Sequence, residues 1–146
     1  MKKSFYWLIV VIVIFLGFLF LQNKHAPDFH YVKIGSQTLK VDLALTNAEQ
    51  EQGLSGRSIL AEDEGMLFVF KQPSKNLFWM KDMNFSIDMI WFDQNMKVIY
   101  MQKNATPESY PGTFGPDGNS KYVLEVVSGF SDKNHLQVGD KIEIIR

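Results

Sequence analysis

The chain has 146 residues, 15 basic and 16 acidic side chains for a net charge of −1, and no cysteine. Three of the basic residues, Lys2, Lys3 and Lys24, precede residue 28, which leaves 12 basic against 16 acidic residues and a net charge of −4 for the remainder, with no basic run. Phosphate binding needs clustered Lys and Arg, so this balance speaks against nucleic acid as a partner. With no cysteine there is no disulfide staple, and the apolar core alone must hold the fold.

Residues 5–21 form an uninterrupted uncharged, mostly apolar segment between Lys2-Lys3-Ser4 and Gln22-Asn23-Lys24. As a helix it would reach roughly 25 Å, enough to cross a thin hydrocarbon core. A secretory signal would be followed by a small-x-small cleavage site. Here Ala26 is paired with Lys24 and followed by Pro27, so the segment is expected to stay in place as a membrane anchor. Lys2 and Lys3 precede it and only Lys24 follows closely, so the positive-inside rule puts the N-terminus in the cytoplasm and the body of the chain outside. Residues 1–27 are thus expected to be anchor and linker, and residues 28–146 one extracytoplasmic domain.

Within that domain, Leu39 to Leu45 alternates apolar and other residues with the period of a half-buried strand, and the stretch from Phe29 to Ile34 can pair with it through Gly35-Ser36. Thr46-Asn47-Ala48-Glu49 reads as a capping box opening a short helix that should stop near Gly53. Residues 66–70 and 76–80 are continuous apolar runs that predict strands buried on both faces. Residues 85–92 and 97–101 flank the turn-rich Asp93-Gln94-Asn95-Met96 and predict a second hairpin. Residues 103–121 hold three prolines and three glycines and predict a long loop, either a lid or a mobile connection. Residues 122–127 predict a strand, 131–136 one helical turn and 141–145 a closing strand. The expected fold is mostly β: a compact antiparallel sandwich or barrel-like domain with one or two short helices, behind a single N-terminal transmembrane helix.

Charges inside these apolar runs mark the candidate site. Asp88 shares a strand face with Ile90 and Phe92, Glu125 alternates with Val123 and Val127, and Lys81 follows Leu77 and Trp79 on one face. A carboxylate withdrawn from water either pairs or protonates. Arg57 and Lys81 are the cations nearest apolar sequence, so Arg57, Lys81, Asp88 and Glu125 are expected in one polar cluster. The bland alternative is a pair of salt bridges on a solvated face of the sheet. His25, His30 and His135 share no ligand spacing, and the methionines, although soft enough to suit copper(I), fit core filler better, so no metal or cofactor is assigned.

Gln52-Gly53-Leu54-Ser55-Gly56-Arg57, Gly65-Met66-Leu67-Phe68-Val69-Phe70, Phe78-Trp79-Met80-Lys81, Ile87-Asp88-Met89-Ile90-Trp91-Phe92-Asp93, Tyr122-Val123-Leu124-Glu125 and Val138-Gly139-Asp140 together resemble the domain-of-unknown-function 192 family. The resemblance implies a small, mostly β domain of bacteria or archaea, often exported or membrane-tethered, with no established activity. It places Arg57, Trp79, Met80, Lys81, Asp88 and Glu125 on motif positions. The resulting expectation is an envelope domain that binds a small ligand or envelope component through Arg57, Trp79, Lys81, Asp88 and Glu125. Two alternatives stay open: a hydrolase-like enzyme with Asp88 or Glu125 as acid or base, and a protein-interaction module.

Overall fold

The structure, a computed structural model, describes residues 30–145. The expected transmembrane segment at residues 5–21 lies outside them. Among the described residues no helix is long and apolar enough to cross a membrane.

The first hairpin forms where alternation places it. Strand β1 (His30–Ile34) pairs antiparallel with β2 (Gln37–Ala44) around Gly35, whose φ of +58° suits the turn. Helix α1 (Asn47–Gln52) opens with both halves of the capping box: Thr46 Oγ1 accepts from the Glu49 N–H at 3.3 Å, and Glu49 Oε2 accepts from the Thr46 N–H at 2.8 Å. It ends at Gly53, whose N–H donates to the Glu49 carbonyl at 2.8 Å.

The chain then crosses to β3 (Glu64–Ser74), and here the all-antiparallel expectation is corrected. β2 and β3 run parallel, Asp42 opposite Met66, because α1 and the loop after it form a connection long enough to return the chain to the same end of the sheet. Strands β5 (Ile87–Phe92), β6 (Val98–Ala105), β8 (Ser120–Val127) and β9 (Ile142–Ile145) complete a seven-stranded sheet in the order β6-β5-β8-β3-β2-β1-β9. The sheet curls into a half-barrel rather than stacking as a sandwich. Its outermost strands touch at one end, where Val98 N–H donates to Asp140 O at 2.8 Å and Ile142 N–H to Met96 O at 3.0 Å.

Residues 103–121 are more ordered than three prolines and three glycines imply. They contain the end of β6, a 3₁₀ turn at Pro107–Ser109, the short strand β7 (Thr113–Phe114) and the start of β8. Conversely, the run at 76–80 supplies only the two-residue strand β4 (Phe78–Trp79), which pairs with β7 as a separate ribbon. Leu77 and Trp79 are about half exposed, so this run is not a strand buried on both faces. The second helix, α2 (Phe130–Lys133), is the expected single turn.

Both faces of the sheet are apolar. Val32, Val41, Leu67, Ile90, Phe92, Leu124 and Val126 fill the concave side, closed by Phe130 of α2. Met66, Phe68, Met89, Trp91 and Val123 form the convex side, covered by Leu54, Leu60, Met80 and Met83 from the connecting loops. Four methionines thus act as packing on one face. Trp91 fastens the β4–β7 ribbon to this face: its Nε1–H donates to the Asn76 carbonyl at 2.8 Å, and its ring meets Phe78 edge-on at 5.6 Å.

Candidate functional site

Successive side chains of a strand point to opposite faces, so each charge takes the side fixed by its register. Asp88 shares the concave side with Ile90 and Phe92, whereas Glu125 shares the convex side with Val123. The expected single cluster of Arg57, Lys81, Asp88 and Glu125 therefore does not form.

Asp88 is fully buried and is served by the backbone instead of a cation. Its Oδ1 accepts from the N–H of Asn104 at 2.8 Å and of Gly129 at 3.2 Å, and its Oδ2 accepts from the N–H of Ser131 at 2.8 Å. Those donors belong to the end of β6 and the first turn of α2, so Asp88 ties both to β5. The same bond holds Asn104 at a φ of +52°, a conformation costly for a side-chain-bearing residue.

Glu125 lies in a row that crosses four strands on the convex side: Asp42 of β2, Met66 of β3, Glu125 of β8 and Met89 of β5 are successive register partners. Both flanking neighbours of Glu125 are thus thioethers. The side chain is nearly inaccessible, and among the described residues its Oε2 is one of two buried side-chain oxygens without a hydrogen-bond partner, the other being Ser131 Oγ. Burial pushes the Glu125 carboxyl up to about 8, against a weaker opposing pull from the Arg57 guanidinium. At neutral pH it is a neutral acid.

Arg57 explains the weakness of that pull. Its Nη2 is bound to Asp42 Oδ2 at 2.6 Å, and Asp42 stands two strands, about 10 Å, from Glu125. The loop that carries Arg57 is stitched to the segment after β4: Ser55 Oγ donates to the Lys81 carbonyl at 2.8 Å, and Asn84 Nδ2 donates to the Arg57 carbonyl at 2.9 Å. Lys81 itself is exposed, with its ammonium 5.9 Å from the Trp79 ring centroid.

A cleft of about 260 Å³ opens on the convex side, with Glu125 in its lining. Phe68 and Phe70 of β3 and Phe78 of β4 form an aromatic wall, Phe78 meeting Phe68 edge-on at 4.7 Å. The end of α1, from Gln50 to Ser55, forms the facing side, and Trp79, 45% exposed and edge-on to Tyr110, stands at the rim. Gly53 lets α1 come close: a Cβ there would lie 3.3 Å from the tip of the Phe68 ring and 3.7 Å from Glu125 Oε2.

Of the expected site residues, the cleft brings together Trp79 and Glu125. Arg57 acts on it only through the electric field, Lys81 touches it only through Trp79, and Asp88 is on the other side of the sheet. Sequence reasoning missed Gly53, Phe68, Phe70 and Phe78 as cleft residues. Phe68 and Phe70 carried a signal, since they alternate with Leu67 and Val69 and so share a face with Met66; nothing in the local pattern placed Glu125 opposite them.

The profile of the domain-of-unknown-function 192 family, described as an uncharacterized ACR, matches residues 30–144. No curated protein matches. Two crystal structures are similar. One, of a candidate transcription regulator from Sinorhizobium meliloti 1021, is 29% identical with a TM-score of 0.72, covering 78% of this chain and 90% of its own. The other, of a protein of unknown function from Novosphingobium aromaticivorans DSM 12444, is 30% identical with a TM-score of 0.72, covering 79% and 83%. With nearly all of its described residues matched, the chain belongs to the domain-of-unknown-function 192 family.

Proposed function

We propose that this is a membrane-tethered, extracytoplasmic ligand-binding domain whose cleft holds a small molecule, or one end of a larger one, over Glu125. The carrying observation is Glu125 Oε2: a buried oxygen without a partner, beside an aromatic-walled cleft. Leaving such an atom unpaired costs about 1–3 kcal/mol, a cost that an occupant of the cleft would relieve. A concave site that sets an aromatic wall against convergent polar side chains is a usual form of a ligand pocket. Residues 5–21 supply the tether.

Paired-carboxylate catalysis is not part of this reading, because Asp88 and Glu125 open to opposite sides of the sheet. Nor is the regulatory role named for the Sinorhizobium meliloti protein, since residues 28–146 are acidic on balance and hold no basic run. Native mass spectrometry of the full chain released from membranes tests the proposal. A co-purifying mass is expected with the wild type and absent from a folded Glu125→Leu variant. Retention of the same mass by Glu125→Leu would overturn it.

A further inference from the structure

The proposed cleft contains more chemical information than its volume, because most of its polar side chains are already occupied. Gln50 Nε2 donates to the carbonyls of Ala44 and Val69 at 3.2 and 3.1 Å, and Gln52 Nε2 to that of Ser55 at 2.8 Å. Asn76 Nδ2 donates to Ser120 O and Oγ at 2.9 and 3.0 Å, and Ser55 Oγ to the Lys81 carbonyl. Each amide or hydroxyl of these lining side chains thus donates within the protein. Glu125 also lines the cleft, and its carboxyl group keeps a buried, uncommitted oxygen, Oε2, beneath Gly53.

We infer that the cleft takes an uncharged ligand with an aromatic or similarly apolar body ending in a hydrogen-bond acceptor, a carbonyl or ether oxygen, to which Glu125 donates. The inference rests on the reading of the cleft as a ligand site and names the class of occupant. The body lies against the edge-to-face array of Phe68, Phe70 and Phe78, and Trp79 closes the outer end. A neutral carboxylic acid inserted among apolar groups is a donor first, and it offers a charged ligand no counter-ion.

The groups around Glu125 argue the same way. Its strand neighbours Met66 and Met89 are uncharged. Arg57, in the loop after α1, and Asp42 on β2 pair with each other at 2.6 Å, so neither is left as a counter-ion for a charged ligand. Glu51 of α1 and Lys75 ahead of β4 line the outer part of the cleft and are exposed, Lys75 lying 3.9 Å from Asp117. Ionisation of Glu125 at alkaline pH removes the donor and turns a like-charged lone pair toward the acceptor, so affinity for such a ligand falls above about pH 8.

Fluorine NMR of the full chain in lipid nanodiscs, with empty nanodiscs subtracted, tests this with 4-fluoroacetophenone, 4-fluorobenzylamine and 4-fluorobenzoate as probes. The ketone is expected to bind best at pH 7 and to bind about tenfold or more weakly at pH 10. Glu125→Gln keeps a donor that does not titrate, so it retains ketone binding and loses the pH dependence; Glu125→Leu loses the ketone at both pH values. Stronger binding of the amine or the benzoate at pH 7, or ketone binding that persists in Glu125→Leu, would overturn the ligand class while leaving the cleft as a binding site. If none of the three probes binds the wild type above empty nanodiscs, the reading of the cleft falls and the ligand class with it.

Discussion

Asp88 and Glu125 stand one register step apart on neighbouring antiparallel strands, Asp88 opposite Val126 and Glu125 opposite Met89, and they open onto opposite sides of the sheet. Both are buried, but in different electrical settings. Asp88 is held by three backbone N–H groups, whereas Glu125 stands between two thioethers and lines the cleft. The same class of side chain is therefore a structural tie on one side and a candidate ligand contact on the other.

Asp88→Asn should be a stability mutation. The amide has one acceptor oxygen where the carboxylate has two, and its NH₂ would face a backbone donor. Loss of a charge-assisted bond of this kind costs about 1.5–3 kcal/mol. Urea unfolding should show a drop of that size while the folded protein keeps its affinity for whatever occupies the cleft. A change below about 0.5 kcal/mol would mean that α2 and the end of β6 do not depend on this residue.

Glu125 should make the domain less stable as pH rises. Its folded value of about 8 is above the 4.5 of an ordinary glutamate, so between those values the folded state holds a proton that the unfolded state has released. The contribution is fully present below pH 4.5 and lost as pH rises through about 8. The slope in that window reaches about 1.4 kcal/mol per pH unit, an upper figure for one proton. Urea midpoints across the window should fall in the wild type and stay flatter in Glu125→Gln and Glu125→Leu. An equal slope in all three proteins would show that Glu125 is ionised in the fold.

Gly53→Ala should damage both the helix end and the cleft. Gly53 has a φ of +49°, where an L side chain is strained, and the added Cβ would crowd Phe68 at 3.3 Å. Destabilisation of about 1 kcal/mol or more is expected, together with weaker occupancy of the cleft than Gly56→Ala gives. Gly56 is the control because its φ is also positive, +78°, but nothing lies within 4 Å of its Cβ position. Equal binding by the two variants would place the occupant away from Gly53.

Residues 5–21 should keep the protein in the membrane through an alkaline carbonate wash, with the segment still attached. Protease added outside intact spheroplasts should digest the domain if it is oriented as the charge asymmetry around residues 5–21 predicts. A soluble mature protein beginning near residue 27 would replace the tether with a cleaved leader.

Much of the fold was legible because its signals are local. Thr46 and Glu49 form a capping box from residues three positions apart, the first hairpin follows from alternation on either side of Gly35, and Gly53 stops α1 where the sequence places the stop. The run at 76–80 misled for the same local reason: it is apolar enough for a buried strand, but Leu77 and Trp79 face outward because β4 lies over the sheet instead of within it. Likewise, prolines and glycines in 103–121 broke the pattern without preventing β7 from pairing with β4.

The sequence by itself determined the strands of the main sheet, their alternation, the short helices and the two carboxylates that had to be reconciled with burial, but not the β4–β7 ribbon. Only the tertiary structure decided which side each alternating set occupies. A period of two says that Asp88 goes with Ile90 and that Glu125 goes with Val123, but not whether the two sets coincide, because one step of register between β5 and β8 exchanges the faces. That step is set by the summed packing of both cores and by the parallel crossover from β2 to β3, contacts made by residues far apart in the chain. It separates Asp88 from Glu125 and leaves Glu125 facing the cleft.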